Sequence, residues 1–224
     1  MTRRLFAELF GTFVLVYAGT GAIVFDSVNP GKIGHLGIAL SFGLVVLSMA
    51  YAVGSVSGAH LNPAVTVGLW LARRIPAGQV LPFIVMQCTG AFAASALLFA
   101  MFPTHPTLGA TLPHGPAWHS FVLEMWLTAV LVFVILAVTI AEPGVRALGG
   151  VIVGAVIALE ALFAGPISGA SMNPARSLAP AVMSGELDHL WIYLVAPLVG
   201  TIVAVPVCSC IQQPGCCASA EGCR

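Results

Sequence analysis

Two stretches decide the fold: Ser57-Gly-Ala-His-Leu-Asn-Pro-Ala64 and Ser168-Gly-Ala-Ser-Met-Asn-Pro-Ala175. Six of their eight positions are identical, and they lie 111 residues apart in a chain of 224, so the second half repeats the first. Asn is a favoured helix cap, and Pro is favoured at the first helical position because its missing N–H would have been unpaired there. Each octet therefore reads as a non-helical lead followed by the start of a short helix, at Pro63 and at Pro174. Glu8 and Glu124 form a second matched pair, each early in its half.

Outward from the octets the chain is apolar. Hydrophobic residues make up 59% and charged residues 7%, against about 45–50% and about 25% in an average soluble domain. One soluble core of this size cannot hide that surface, and disorder needs the opposite composition. Eight Lys+Arg balance eight Asp+Glu, which excludes a strongly basic nucleic-acid binder. Six stretches are long enough to cross a bilayer: residues 5–25, 35–53, 80–102, 118–140, 147–164 and 190–211, since a spanning helix needs about 20 apolar residues. None alternates as a barrel strand would. The first is too long for a signal peptide and contains Glu8, so it reads as an uncleaved helix.

Residues 55–71 and 166–183 are apolar but too short to cross. The expected fold is thus an all-α membrane protein with six transmembrane helices plus two re-entrant half-helices in an inverted repeat. Repeat one covers about residues 1–112 and repeat two about 113–207. Three spans per repeat invert the second copy, so the half-helices enter from opposite faces. Interrupted segments at matching places in inverted halves point to a substrate path. Arg3, Arg4, Arg73, Arg74, Arg146 and Arg224 fall on one side and Lys32 on the other, which places both termini in the cytoplasm. The long connection 103–116 is then external.

Where the two half-helices meet, each N-terminus carries roughly half a positive charge, which opposes cations and protons. The amides of Asn62 and Asn173 supply donors there, and a water held by both donates outward in both directions, which breaks a proton wire. Residues 58–61 and 169–172 are expected to be extended, their carbonyls lining a file of acceptors. Arg176 stands where the first copy has Val65. A charge inside a membrane is a functional candidate: Arg176 presents donors to a passing solute and repels cations, ties down loop carbonyls, or does both.

These residues resemble the aquaporin, or major intrinsic protein, family over residues 4–207: six helices, the boxes Asn62, Pro63, Ala64 and Asn173, Pro174, Ala175, and the Arg after the second. The run from Phe163 to Leu178 (FAGPISGASMNPARSL) is similar to the nodulin-26-like branch. The resemblance implies a channel domain over 1–207, a homotetramer with one pore per subunit, and a plasma (or inner) membrane location. It implies a constriction at Phe42, Ala161, Ala170 and Arg176, with Gly58, Ala59, His60, Gly169 and Ser171 beside the pore and Glu8 and Glu124 anchoring the re-entrant loops. It implies no cofactor, metal or nucleic-acid partner. The water-specific branch has His where this chain has Ala161, and Ala170 is also small, so the neck should be wider and less polar, suited to glycerol or a metalloid acid such as arsenite. The nodulin-26-like branch more often has Trp or Ala where this chain has Phe42.

The expected activity is passive passage of water and small uncharged solutes, with protons and ions excluded. The alternatives are a channel chiefly for metalloid acids or glycerol with little water flux, and a secondary transporter, which also uses inverted repeats. Only Arg176 and Glu160 offer ionisable groups for coupling. No Ser/His or paired-Asp constellation suggests an enzyme. Glu160 reads as a solute-selecting or pH-sensitive group, or as a buried carboxyl bonded to a re-entrant loop; its neighbour Ala161 faces the lumen, which favours the second reading. His105, His114 and His119 lack a zinc spacing and read as a solvated loop. Cys208, Cys210, Cys216, Cys217 and Cys223 crowd a tail, 208–224. It reads as a soft-metal or metalloid-sensing segment or as an unstructured end. Cys88 reads as packing, and Gly11, Gly43, Gly90, Gly154 and Gly200 as points of close helix crossing.

Overall fold

A computed structural model describes residues 1–212. Its helices are α1 (Thr2–Val28), α2 (Gly34–Ser57), α3 (Pro63–Leu71), α4 (Ala77–Met101), α5 (Ala117–Ile140), α6 (Pro143–Ala147), α7 (Gly149–Ser168), α8 (Pro174–Ser184) and α9 (Leu190–Ile211). Six are long and apolar enough to span a membrane. The other three are the stubs α3 and α8 and the short α6, a turn begun by Pro143 that sequence reading did not foresee. The fifth span accordingly starts at Gly149 rather than at 147.

The ends of the second and fifth spans differ from expectation in a matched way. Both continue past 53 and 164, to Ser57 and Ser168, and close on Gly58 and Gly169 with φ of 94° and 84°. Residues 55–57 and 166–168 thus complete spanning helices, and the half-helices begin only at the proline. The lead-ins are not extended either: Ala59, Leu61, Ala170 and Met172 have φ of 48°, 51°, 42° and 53°. Backbone that includes left-handed residues can turn consecutive N–H groups toward one anion, and two buried carboxylates lie where those groups point. The last span continues to Ile211, so Cys208 and Cys210 belong to α9, the first buried and the second exposed. Cys216, Cys217 and Cys223 lie outside the described residues.

Within each repeat the first span packs on the last, α1 on α4 and α5 on α9; between repeats α2 packs on α7. Glycine makes each crossing close. A Cβ on Gly90 would collide with the Leu9 carbonyl, and one on Gly200 with the Met125 carbonyl. Gly43 and Gly154 face each other across the repeats, each Cβ position 2.6 Å from the other's carbonyl oxygen. Inside the ring α3 leans on α4 and α9, α8 leans on the same pair, and the tips of α3 and α8 touch. Leu81, Phe6 and Ile202 project outward, 60–69% exposed, as a lipid-facing surface requires.

The α2–α7 crossing is a main contact between the repeats. Gly154→Val should overpack it by about 1–3 kcal/mol, lowering the thermal midpoint in detergent by roughly 2–4 °C per kcal/mol. Gly78→Ala, at a position with nothing within 4 Å of the added carbon, should leave the midpoint unchanged.

Candidate pore

Asn62 and Asn173 cap α3 and α8. The Asn62 side-chain oxygen accepts from the Ala64 N–H at 2.8 Å, and the Asn173 oxygen accepts from the Ala175 and Arg176 N–H groups at 3.1 and 3.3 Å. With each oxygen turned to its own helix, each amide nitrogen faces the other stub. Asn62 Nδ2 donates to the Met172 carbonyl at 2.8 Å, and Asn173 Nδ2 donates to the Leu61 carbonyl at 2.9 Å. The two tips are thereby stitched crosswise, and each amide keeps a second N–H. Two of the carbonyls expected to line the passage, those of Leu61 and Met172, are engaged in this stitch.

The lead-ins are held from behind by carboxylates that are fully buried. Glu8 accepts from Ser57 Oγ (2.6 Å) and the His60 N–H (3.0 Å) on one oxygen, and from the Leu61 N–H and Gln87 Nε2 (both 2.8 Å) on the other. Glu124 accepts from Ser168 Oγ (2.7 Å) and the Ser171 N–H (2.9 Å), and from the Met172 N–H (2.8 Å). Ser57 and Ser168 each accept in turn from the N–H two residues on. An ionised carboxylate is an acceptor only, which suits a loop offering mainly donors. Sequence reading identified both carboxylates but not Gln87, which also donates to Thr66 Oγ1 at 2.9 Å. Nor did it identify Tyr193, whose hydroxyl donates to the Ser168 carbonyl at 2.7 Å. Tyr193 follows Phe83 by 110 residues, and in repeat one Arg4 reaches the equivalent Ser57 carbonyl at 3.5 Å.

Between the stubs and the ring of helices runs a narrow cavity with room for about 50 Å³ of solvent, enough for only a few waters. Asn62, Asn173, Ala59, His60 and Ser171 line it on the stub side, and Val46, Ile135, Val153 and Ile157 give it an apolar opposite wall. Helical periodicity hid these aliphatic residues, because the spans are apolar on every face. His60 has its tautomer set by its neighbours. Thr66 donates to the Asn62 carbonyl at 3.0 Å, so it accepts from His60 Nδ1 at 3.1 Å, leaving His60 Nε2 as an acceptor. Beyond His60 the cavity shares Val46, Ala59, Val65, Ile135 and Val153 with a vestibule of about 890 Å³. Arg4, Arg74 and Arg146 line that vestibule, and among the described residues no Asp or Glu does. Gly58 belongs to the vestibule rather than to the narrow part, and Gly169 packs on Thr111.

At the other end Phe42, Ala170 and Arg176 line the cavity together. Ala161 is not among the lining residues; it continues the Val153–Ile157 stripe of α7 one turn further out and is 7% exposed. The Arg176 guanidinium stacks over the Phe42 ring at 5.1 Å and donates from Nη1 to the Gly109 carbonyl at 2.9 Å. It therefore holds a loop carbonyl and faces the passage at once. Thr111 of the same loop donates to Ser177 Oγ at 2.8 Å, so the 102–116 connection is packed into the neck. Glu160 is 2% exposed, and neither of its oxygens has a hydrogen-bond partner among the described residues; the expected bond to a re-entrant loop is not made.

Residues 1–207 match the family model described as Major intrinsic protein. The chain is 45% identical over 201 residues to Aquaporin NIP1-1 of Oryza sativa subsp. japonica, an alignment covering 89% of this chain and 71% of that one. It is 39% identical over 211 residues to Nodulin-26 of Glycine max, covering 94% and 78%. Among solved structures, the aquaglyceroporin from Plasmodium falciparum superposes with a TM-score of 0.85 over 97% of this chain and 99% of that one. Identity there is 23%, so the likeness is one of fold.

Two substitutions rank the loop anchors. Glu124→Gln replaces one acceptor oxygen by donors facing N–H groups and should cost about 1–3 kcal/mol, whereas Tyr193→Phe removes a single bond and should cost about 1 kcal/mol. Thermal unfolding followed by tryptophan fluorescence checks the order, and equal midpoints for the two variants would contradict it.

Proposed function

The chain belongs to the major intrinsic protein family, a family of channels and not of enzymes, and on that premise we propose that it conducts water and small uncharged hydroxylated solutes down their gradients. The observation that carries this reading is the crosswise stitch of Asn62 and Asn173 beside a narrow cavity. One N–H of each amide is spent on the opposite stub, and the other is left for a solute oxygen. A water accepting from both asparagines has its hydrogens directed away from the centre, so a hydrogen-bonded file reverses polarity there and cannot relay a proton. Two helix N-termini meeting at that point add a positive field against cations.

The solute class follows from the wall chemistry. Along most of its length the cavity offers donors and acceptors on one side and aliphatic carbon on the other. A molecule with hydroxyls along one edge and a bare opposite edge fits that division, whether glycerol or an undissociated metalloid acid such as arsenous acid. At the neck, Ala161 and Ala170 in place of larger side chains favour the wider solute, and Phe42 and Arg176 complete the constriction. A chain of this family works in a lipid bilayer; we infer a homotetramer in a plasma or inner membrane. The Arg4, Arg74 and Arg146 vestibule would face the cytoplasm, where excess Arg and Lys reside. The cysteines at the end of the chain have no assigned role in this reading.

Stopped-flow light scattering on proteoliposomes tests the proposal with water, glycerol and arsenous acid. All three should pass, and an imposed proton gradient should drive none of them. Ala161→His should retain water flux and cut glycerol flux about tenfold or more, since an added barrier of about 1.4 kcal/mol is a tenfold change in rate. Water flux without glycerol or arsenous acid flux in the parent chain would reject the wide neck, and proton-driven flux would reject the channel.

A further inference from the structure

The guanidinium at the neck is held by a loop that is itself organised around one imidazole. His105 lies four residues past the end of α4 and is half-buried. Its Nδ1 accepts from the Thr107 and Leu108 N–H groups, at 3.3 and 2.9 Å. Its Nε2 meets Ser27 Oγ, at the end of α1. The Ser27 hydroxyl donates to the Val24 carbonyl at 2.7 Å, so Ser27 accepts from His105 and the proton sits on Nε2. The ring is thereby fixed in the neutral form, with a lone pair facing two backbone donors.

The next two residues turn the chain. Leu108 and Gly109 have φ of 49° and 74°, a conformation that a non-glycine residue such as Leu108 adopts only when its surroundings hold it there. Gly109 admits no side chain, because a Cβ would sit 3.0 Å from Thr20 Cβ. This turn directs the Gly109 carbonyl at Arg176 Nη1, 2.9 Å away. The connection from ring to neck is short: imidazole Nδ1, the Leu108 N–H, a left-handed turn, the Gly109 carbonyl, Arg176.

We propose that His105 is a positioning residue for Arg176, and that protonation of its Nδ1 from the loop's face frees the guanidinium to swing into the neck and lowers flux. The inference rests on the channel reading above. A proton on Nδ1 replaces an acceptor by a donor opposite two N–H groups, and the turn cannot keep its form. Partial burial lowers the affinity of His105 for that proton below that of an ordinary histidine. The sign follows: the neutral ring supports the loop at neutral pH, and that support is lost on acidification only as the pH falls through the ring's own lowered value. Other titratable and charged groups on the surrounding elements are Asp26 of α1, Lys32 of the following turn, His35 of α2, His114 of the loop, His119 of α5 and Arg176 of α8. None of them hydrogen-bonds or pairs with His105. The Asp26 carboxylate is occupied by the Ile33 and Gly34 N–H groups at 2.9 and 2.8 Å.

The discriminating variant is His105→Asn. An Asn side-chain oxygen accepts from N–H groups two residues on, as in an Asx turn, and does not titrate. The full chain is reconstituted, and water flux is measured from pH 7.5 to 5. The parent flux should at least halve on acidification, His105→Asn should keep the pH 7.5 flux throughout, and His114→Asn should behave as the parent. His105→Ala should show reduced flux at every pH. A readout independent of conduction separates this inference from the channel reading: the 15N signals of the Arg176 guanidinium should shift as His105 titrates, and should stay fixed in His105→Asn. A flat parent profile, the parent profile in His105→Asn, or Arg176 signals that ignore His105 would each overturn the proposal.

Discussion

Non-helical backbone in the middle of a membrane must find every hydrogen bond within the protein, and this requirement organises the molecule. Residues 58–62 and 169–173 bring their polar groups to the bilayer's centre, where lipid offers no partner. The structure answers with two buried carboxylates. Glu8 takes four donors and Glu124 three. An unsatisfied buried donor costs about 1–3 kcal/mol, so a lead-in without its carboxylate would have several such penalties at once. The left-handed residues of the lead-ins follow from the same need, because a strand would send alternate N–H groups to opposite sides.

The anchors are nearly symmetric between repeats; the passage is not. Behind the stubs the same geometry recurs, serine to carboxylate and N–H to carboxylate, with the lead-ins offset by 111 residues and the carboxylates Glu8 and Glu124 by 116. In front, the copies diverge. Repeat one sets His60 on Thr66, with Gln87 bridging to Glu8. Repeat two sets Ser171 on Ser177, with Thr111 reaching in from the long loop. Arg176 replaces Val65. The duplicated part supplies the frame, and the unduplicated part distinguishes the two ends of the lumen, with an imidazole acceptor toward the arginine-lined vestibule and a guanidinium donor toward the loop.

The architecture was legible because its signals are local and redundant: six apolar runs, two Asn-Pro starts and a repeat that fixes their relation. The lead-in geometry was not, since positive φ at Ala59 and Leu61 arises from a carboxylate some fifty residues away in sequence. The fifth apolar run reads as ending at 164, yet α7 continues through Pro166 to Ser168. Asn62, Asn173 and Arg176 could be placed from sequence because each is a polar residue out of place in an apolar setting. The aliphatic wall of Val46, Ile135, Val153 and Ile157 could not, for a valine facing a lumen and one facing lipid look alike. Gln87 and Tyr193 carried a signal that went unused, as polar groups within the apolar spans α4 and α9. His105 was read as solvated because no metal spacing claimed it, and its role emerges only from the turn it holds.

The buried carboxylates also bear on why such a frame suits neutral cargo rather than ion coupling. A carboxylate attracts a cation through lone pairs that are not already engaged. Glu8 has roughly four lone-pair sites and four donors on them, so it offers a passing cation little beyond its charge, and it stands behind the lead-in rather than in the lumen. What the lumen itself presents is of the opposite sign: Arg176 at one end, two helix N-termini at the centre, and three arginines around the vestibule with no acidic residue among the described ones. A sodium ion or hydronium would meet repulsion at three successive places with no charged partner to replace its hydration. A neutral hydroxylated molecule exchanges water for asparagine amides, His60 Nε2 and Ser171 at modest cost. Exclusion of cations and passage of neutral solutes thus follow from one arrangement, in which negative charge is spent on holding the backbone and positive charge is left facing the path.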